Sequence, residues 1–220
     1  MSRKVCAIVG VGPGLGMAIA RRFGREGFAL ALVARNPDTL LGLRDVLRAE
    51  GHEAVAFRAD AASPSDLERA LTEVAETLGH PAVLVYNAAA PRRGTPTTLA
   101  PEVLVEDFRV DVVGALAAVR TVVPRMKARG EGTILLTGGG FALHPVADQA
   151  SLSVGKAALR SLALCLAEEL APCGIHAATV TVAGFVAKGT TFDPDAIAET
   201  FVELHHEPKG SFRSEAVFRG

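Results

Sequence analysis

The sequence predicts an α/β fold, a single doubly wound parallel sheet with helices on both faces. Three observations carry that expectation. Short apolar runs alternate with longer helix-period segments along the whole chain. Most of the short runs are apolar at every position, as strands covered on both faces are. The first run ends in V-G-V-G-P-G-L-G and passes at once into M-A-I-A-R-R-F, giving a strand, a tight turn and a helix.

The elements follow in order. Residues 4–9 read as the first strand and 15–26 as an amphipathic helix, closed by Gly27. Residues 28–33 are the second strand, and 38–50 a helix closed by Gly51. Residues 54–58 form the third strand, and Ser63-Pro64 opens a helix over 64–78 that Gly79 closes. Residues 82–86 form the fourth strand, followed by one long helix over 101–128. The fifth strand spans 133–137, the next helix 153–171, the sixth strand 175–182, the last helix 194–205 and a final strand 215–218. Strict βαβ alternation with right-handed crossovers gives an open parallel sheet. Without a repeat, low-complexity tract or linker, residues 1–220 are expected to be one domain.

Composition narrows the function classes. A net charge of −1 gives no electrostatic case for nucleic acid or an anionic membrane. No apolar run approaches the ~18 residues that span a bilayer. The start, M-S-R-K-V-C-A-I-V-G, runs into a strand without a signal-peptide pattern. Cys6, Cys165 and Cys173 are expected as buried free thiols of a reducing compartment, which points to the cytoplasm. His205-His206-Glu207 lacks a third partner at metal spacing and reads as a solvated helix end, so no metal is expected.

The glycine turn is the first chemical signal. Gly10, Gly14 and Gly16 fit G-x-x-x-G-x-G between strand and helix, with Leu15 inside the pattern. Absent side chains let the backbone turn sharply and approach a pyrophosphate, whose charge the helix N-terminus favours. The commoner G-x-G-x-x-G spacing fails, since its last glycine falls on Leu15 or Met17. The second strand ends in L-V-A-R-N-P-D. A carboxylate there accepts bonds from ribose hydroxyls, whereas a 2′-phosphate needs a cation. Ala34 and Arg35 therefore favour NADP(H) over NAD(H), against the plainer reading of a solvated arginine.

Further motifs carry a family resemblance. The stretch 149–159 reads Q-A-S-L-S-V-G-K-A-A-L. With the glycine turn, Asp60-Ala61 in R-A-D-A, Y-N-A-A-A at 86–90, F-R-V-D-V-V-G at 108–114 and V-A-G-F-V at 182–186, the chain resembles the short-chain dehydrogenase/reductases, whose sheet is a Rossmann fold. The resemblance implies that Asp60 and Ala61 meet the adenine side of the dinucleotide. It implies that Asn87, Ala88 and Ala89 (for an N-A-G motif) floor the cofactor, and that the Val186 backbone meets the carboxamide. Lys156 is the lysine of Y-x-x-x-K, which holds the nicotinamide ribose and lowers the tyrosine pKa.

The same resemblance makes the catalytic half anomalous. The tyrosine position is Leu152, the serine position is Gly139 and the asparagine position is Asp111, so only Lys156 remains. Leucine can neither give nor take a proton. Tyr86, the only tyrosine, sits beside Asn87 on the cofactor-floor side by analogy. Candidate catalytic residues are Lys156, Asp111 and His144. Asp111 is expected to orient the lysine directly or through water, or to donate a proton if burial raises its pKa. His144 stands by analogy at the substrate rim with Asp148, although a loop histidine and a helix-starting acid are the plainer readings. Ser151 is expected near the helix N-cap, and Arg92-Arg93 as a solvated loop or a guide for an anionic substrate. The resulting expectation is an atypical NADP(H)-dependent oxidoreductase acting on a small molecule, at C=N or C=C rather than an ordinary carbonyl. The alternative is a non-redox or inactive cofactor-binding member. The two long helices, with A-L-A-A-V and L-A-L-C-L-A, are expected to make a homodimer or homotetramer.

Overall fold

The structure, a computed structural model, describes residues 3–220. Seven parallel strands stand in the order β3-β2-β1-β4-β5-β6-β7. They are β1 (Val5–Val9), β2 (Ala29–Ala34), β3 (Ala54–Arg58), β4 (Val83–Tyr86), β5 (Gly132–Gly139), β6 (Ile175–Val182) and β7 (Glu215–Phe218). The helices are α1 (Leu15–Arg25), α2 (Pro37–Ala49), α3 (Pro64–Thr77), α4 (Pro101–Phe108), α5 (Gly114–Arg129), α6 (Ala150–Leu170) and α7 (Pro194–His205).

Strand parity sorts the core into two layers. In β1, Val5, Ala7 and Val9 face the layer of α3, α5 and α6, while Cys6 and Ile8 face that of α1, α2 and α7. β4 divides likewise, Leu84 and Tyr86 against Val83 and Val85. Successive strand residues point to opposite faces, so runs apolar at every position are what two covered faces require. Asn36, Ser63 and Asp193 cap α2, α3 and α7 through their side chains. Gly27, Gly51 and Gly79 follow α1, α2 and α3 with positive φ, as the helix stops require.

Two helices depart from the sequence reading. The helix expected over 101–128 is interrupted by a π-turn, Arg109–Val113, which separates α4 from α5. The Tyr86 hydroxyl donates to the Val110 carbonyl at 2.5 Å and so satisfies an acceptor within this turn. Gly114 permits the approach, because a Cβ there would lie 2.4 Å from the Tyr86 oxygen and 2.2 Å from the Ala61 carbonyl oxygen. α6 begins at Ala150, three residues earlier than expected, so both Leu152 and Lys156 are helical. Its N-cap is Gln149, and Ser151 is a buried helical residue rather than a cap.

The segment Ala150–Cys173 is long and apolar enough to cross a bilayer, with mean hydropathy 1.3. Here it is a core helix, with Leu152, Leu159, Ala163, Leu166 and Leu170 buried on its inner face. Among the cysteines, Cys6 is buried as expected, but Cys165 is exposed on the outer face of α6 and Cys173 half-buried. At the end of α7, His205 is half-buried rather than solvated. Its Nδ1 bonds the Thr133 hydroxyl at 2.8 Å, and its ring meets Phe23 and Phe28 edge-on. Burial holds its pKa down at about 4. No cluster of three metal-ligating side chains occurs among the described residues.

Candidate cofactor and catalytic cleft

The winding of the sheet reverses between β1 and β4, and a cleft opens there beyond the carboxyl ends of the strands. It has two arms. The first, about 770 Å³, is lined among others by Gly10, Arg35, Asp60, Ala61 and Ala88. The second, about 440 Å³, is lined among others by Leu15, Gly139, His144, Leu152, Lys156 and Val186. Asn87 and Ala89 line both, so the two cavities adjoin at the end of β4.

The glycine turn shapes the first arm. Gly10 has φ +86°, and a Cβ there would lie 2.3 Å from the Ala88 nitrogen, so only glycine lets the turn meet the end of β4. A Cβ on Gly16 would lie 2.9 Å from the Val11 Cα, which holds α1 close to the turn. Gly12 and Gly14 differ, since a Cβ on either would meet nothing within 4 Å. Their open side is a cradle at the α1 N-terminus, where no side chain caps the helix. Backbone N–H groups and the positive helix end there suit a pyrophosphate. Arg35 is exposed at the end of β2. Asp60 is half-buried, and its Oδ1 accepts the Ala62 N–H at 3.0 Å.

A hydrogen-bonded chain joins the arms. Asn87 Nδ2 donates to the Gly10 carbonyl at 2.9 Å. The Thr137 hydroxyl donates to Asn87 Oδ1 at 3.0 Å. Lys156 Nζ donates to the Thr137 carbonyl at 2.7 Å. The lysine is thereby tied to the glycine turn through β5.

The second arm is mostly apolar. Leu152 and Lys156 lie one turn apart on α6, with only 8% and 7% of their surface exposed. Gly139 stands opposite in extended backbone, φ −159° and ψ 153°. His144 is exposed on the rim. At the mouth, Phe185 meets Phe141 edge-on with centroids 6.3 Å apart, and Phe185 is 81% exposed. Thr137 brings the one hydroxyl among the lining residues, and its proton goes to Asn87. Burial lowers the Lys156 pKa, and the Asp111 carboxylate acts in the opposite direction.

Asp111 lies in the π-turn and is 1% exposed. Its Oδ1 accepts the Ala90 N–H at 2.9 Å. Its pKa is pushed up to about 6, chiefly by burial, against the Ala90 bond and the Lys156 charge. It does not line the cavity. Nor does it pair directly with Lys156, whose ammonium instead donates to Thr137. Of the roles expected for Asp111, the direct bond to Lys156 does not form, whereas burial does raise its pKa, the condition set for proton donation. Asp111 lies instead in the π-turn, with its Oδ2 in the room that Gly155 leaves. Tyr86 likewise points into the α3–α5–α6 core rather than the cleft, and burial raises its pKa.

Residues 4–194 match the family described as short chain dehydrogenase. The chain belongs to that family. A 2,3-dihydro-2,3-dihydroxybenzoate dehydrogenase of Bacillus subtilis is 31% identical over 79% of this chain and 66% of its own length. A human 3-oxoacyl-[acyl-carrier-protein] reductase is 29% identical over 86% of this chain and 78% of its own. Among solved structures, a metagenomic short-chain oxidoreductase in complex with NADP has TM-score 0.90 at 28% identity, covering 99% of this chain and 97% of its own. A short-chain dehydrogenase from Rhodopseudomonas palustris has TM-score 0.89 at 25% identity, covering 99% and 98%.

Within this family fold, every residue singled out for the cofactor except Gly14 and Gly16 lines the cleft; Gly16 packs against the turn and Gly14 lies on its open side. Asp148 contributes a backbone carbonyl to Gly94 rather than a side chain to the cleft. Arg92 lines the first arm and ion-pairs with Asp107 at 3.2 Å. Sequence reasoning missed Thr137, Asp107 and Gly155. Thr137 had a signal, as a polar residue in an apolar strand. Asp107 had one too, four residues before Asp111 on the same helical face. Gly155 had none, because only packing shows that a Cβ there would lie 2.2 Å from Asp111 Oδ2.

Proposed function

We propose that the chain is an NADP(H)-dependent oxidoreductase that transfers hydride to or from a small organic substrate, at C=N or C=C rather than at an ordinary carbonyl. The cradle at Gly12 and Gly14, Arg35 for the 2′-phosphate, Asp60 and Ala61 for the adenine side, and Asn87 to Ala89 beneath would hold the dinucleotide. When bound, this group supplies hydride. Lys156 would donate to its ribose hydroxyls, with its stem gripped by α6 and its charge kept in place by the Thr137 carbonyl. The NADP complex of the metagenomic relative supports this choice of cofactor.

The observation that carries the choice of reaction is the wall of the second arm. Gly139 and Leu152 stand where the family resemblance puts a serine and a tyrosine, and neither can donate a hydrogen bond from its side chain. Carbonyl reduction builds an alkoxide, and one missing oxyanion donor typically costs roughly 3–4 kcal/mol. Hydride addition to an iminium carbon gives a neutral amine with no alkoxide, and addition to an enone gives a delocalised enolate whose oxygen is less basic than an alkoxide. His144 on the rim is the one titratable side chain positioned to give a proton from solvent.

NADPH oxidation followed spectrophotometrically across ketone, imine and enone panels tests this reading. Turnover is expected with imines or enones and not with simple ketones. Tight NADPH binding with no turnover of any panel member would instead establish the second reading, a cofactor-binding member without redox activity. That second reading is favoured by the placement of Asp111 outside the cavity. The assembly we infer is a homodimer or homotetramer through α4, α5 and α6, whose outer faces expose Val105, Leu116 and Val154. We also infer a cytoplasmic location, with a small molecule as substrate and neither nucleic acid nor membrane as partner.

A further inference from the structure

The second arm is walled by the apolar side chains of Leu15, Phe141, Leu152, Val182, Phe185 and Val186. Four polar side chains join them, from Asn87, Thr137, His144 and Lys156. Asn87 and Thr137 are engaged in the chain from the Gly10 carbonyl, and Lys156 donates to the Thr137 carbonyl. His144 stands on the exposed rim. Among the described residues that line the arm, none is Asp or Glu. A cation entering here would meet the Lys156 charge with no carboxylate to offset it, in addition to the cost of leaving water. A carboxylate would find no second cation, and the lysine donors drawn to Thr137 and, in the proposed reading, to ribose hydroxyls. A neutral molecule meets neither cost.

The mouth is aromatic and held in place. Phe141 comes from the turn after β5 and Phe185 from the loop after β6, edge-on with centroids 6.3 Å apart. Phe185 is 81% exposed, yet its loop is anchored on both sides. The Ala183 N–H donates to the Phe218 carbonyl at 2.9 Å, and the Ala187 N–H to the Phe192 carbonyl at 3.1 Å. Gly184 adds a third hold, since a Cβ there would lie 2.3 Å from the Phe192 ring, which packs against the loop backbone. A large ring kept in water by a fixed loop, at the lip of an apolar cavity, is a preorganised surface for another ring.

We propose that the second arm takes a neutral conjugated enone bearing an aromatic ring, with Phe141 and Phe185 as the specificity-determining pair, and that it excludes a cationic iminium. The inference rests on the proposed function and narrows its two bond types to C=C. The step balances with the reduced nicotinamide as hydride source. Hydride adds to the β-carbon of the enone, the C=C π pair moves into the carbonyl as an enolate, and a proton from water adds at the α-carbon. The nicotinamide is left oxidised. A positive Lys156 in the same arm favours the developing enolate by the field that disfavours an entering iminium.

The test titrates three thiol-inert compounds of matched size into the full chain saturated with NADP+, read by isothermal titration calorimetry. They are benzylacetone (neutral), hydrocinnamate (anionic) and phenylpropylammonium (cationic). Benzylacetone, the product expected from benzylideneacetone, should bind about tenfold tighter or more than either ion. Phe185→Ala should cut the preference for benzylacetone over methyl propyl ketone by about two- to tenfold, and Phe141→Leu should do likewise. Circular dichroism checks that both variants keep the fold. Either ion binding as tightly as benzylacetone overturns the proposal, as does an aryl preference unchanged in both variants. With NADPH, benzylideneacetone should be consumed and an N-methyl iminium carrying one aromatic ring should not; faster consumption of the iminium also overturns it. A chain that binds no NADP(H) sinks the proposed function, and the same titrations without cofactor still read the selectivity of the arm. Selective benzylacetone binding with no turnover of either compound sinks the proposed function and leaves the neutral ring site standing.

Discussion

Restoring the two absent hydroxyls is the sharpest perturbation available. A Cβ on Gly139 would lie 3.5–3.7 Å from the Lys156 Cγ, Cδ and Cε, ordinary van der Waals contact. The backbone there is extended, a conformation any residue adopts. Gly139→Ser therefore fits without strain and gains unfolded-state rigidity as well. Leu152→Tyr places a phenol one turn before Lys156, and the cavity of about 440 Å³ beside it can take the extra ring volume. Each oxyanion donor typically contributes about 10²–10³ in kcat. The pair acts as a unit, so the double variant should show ketone reduction where the wild type and both single variants show little. The assay is NADPH consumption with a small ketone panel, with product chirality read by chromatography. If the double variant binds NADPH like the wild type, keeps its fold and still reduces no ketone, the reasoning from Gly139 and Leu152 to the choice of reaction is refuted.

Other expectations follow from single sites. Arg35→Ala should weaken NADPH by about ten- to a hundredfold and leave NADH little changed, measured by fluorescence titration; equal losses for both would show that Arg35 does not read the 2′-phosphate. Lys156→Ala should reduce NADPH affinity and turnover together, and a variant with both intact would remove the lysine from the site. Asp111→Asn should stabilise the chain at high pH. The folded pKa of about 6 exceeds that of an ordinary aspartate, so the native state binds the proton more tightly and wild-type stability falls as pH rises from about 4 to 6. The variant escapes that loss, a gain of up to about 3 kcal/mol above pH 7 in urea unfolding, whereas equal pH profiles would contradict the buried-acid reading. Light scattering at micromolar concentration should give a dimer or tetramer, and a monomeric mass would leave the exposed Val105, Leu116 and Val154 unexplained.

The fold was legible because its signals are local and redundant. Strands such as V-C-A-I-V and L-A-L-V report two covered faces by composition alone, and Ser63-Pro64, Gly27, Gly51 and Gly79 mark helix ends by backbone chemistry that tertiary packing does not override. The interruption at Arg109–Val113 was not legible, because R-V-D-V-V is compatible with an unbroken helix. What opens the π-turn is the Tyr86 hydroxyl arriving from β4 and the close approach to Ala61 that Gly114 allows. Those contacts are separated from the turn by tens of residues of chain, and no periodicity reports them. The exposure of Cys165 was missed for a related reason. An apolar helix segment such as L-A-L-C-L-A does not say which of its residues face a subunit's own core and which face outward.

The π-turn is also what separates the cofactor half of the site from the catalytic half as readings of sequence. Gly10, Asn87 and Lys156 each act through backbone proximity or a fixed bond, and the chain from the Gly10 carbonyl through Asn87 and Thr137 to Lys156 leaves their placement little freedom. Asp111 had no such fixed partner in the sequence, and in the structure it lies in the π-turn outside the lining of the second arm. There it meets Gly155 and Asp107 instead of a substrate. A glycine that makes space for a buried carboxylate, and a second buried acid one turn away, add polar burial that a drifting scaffold would shed, since each uncompensated polar atom weighs against stability.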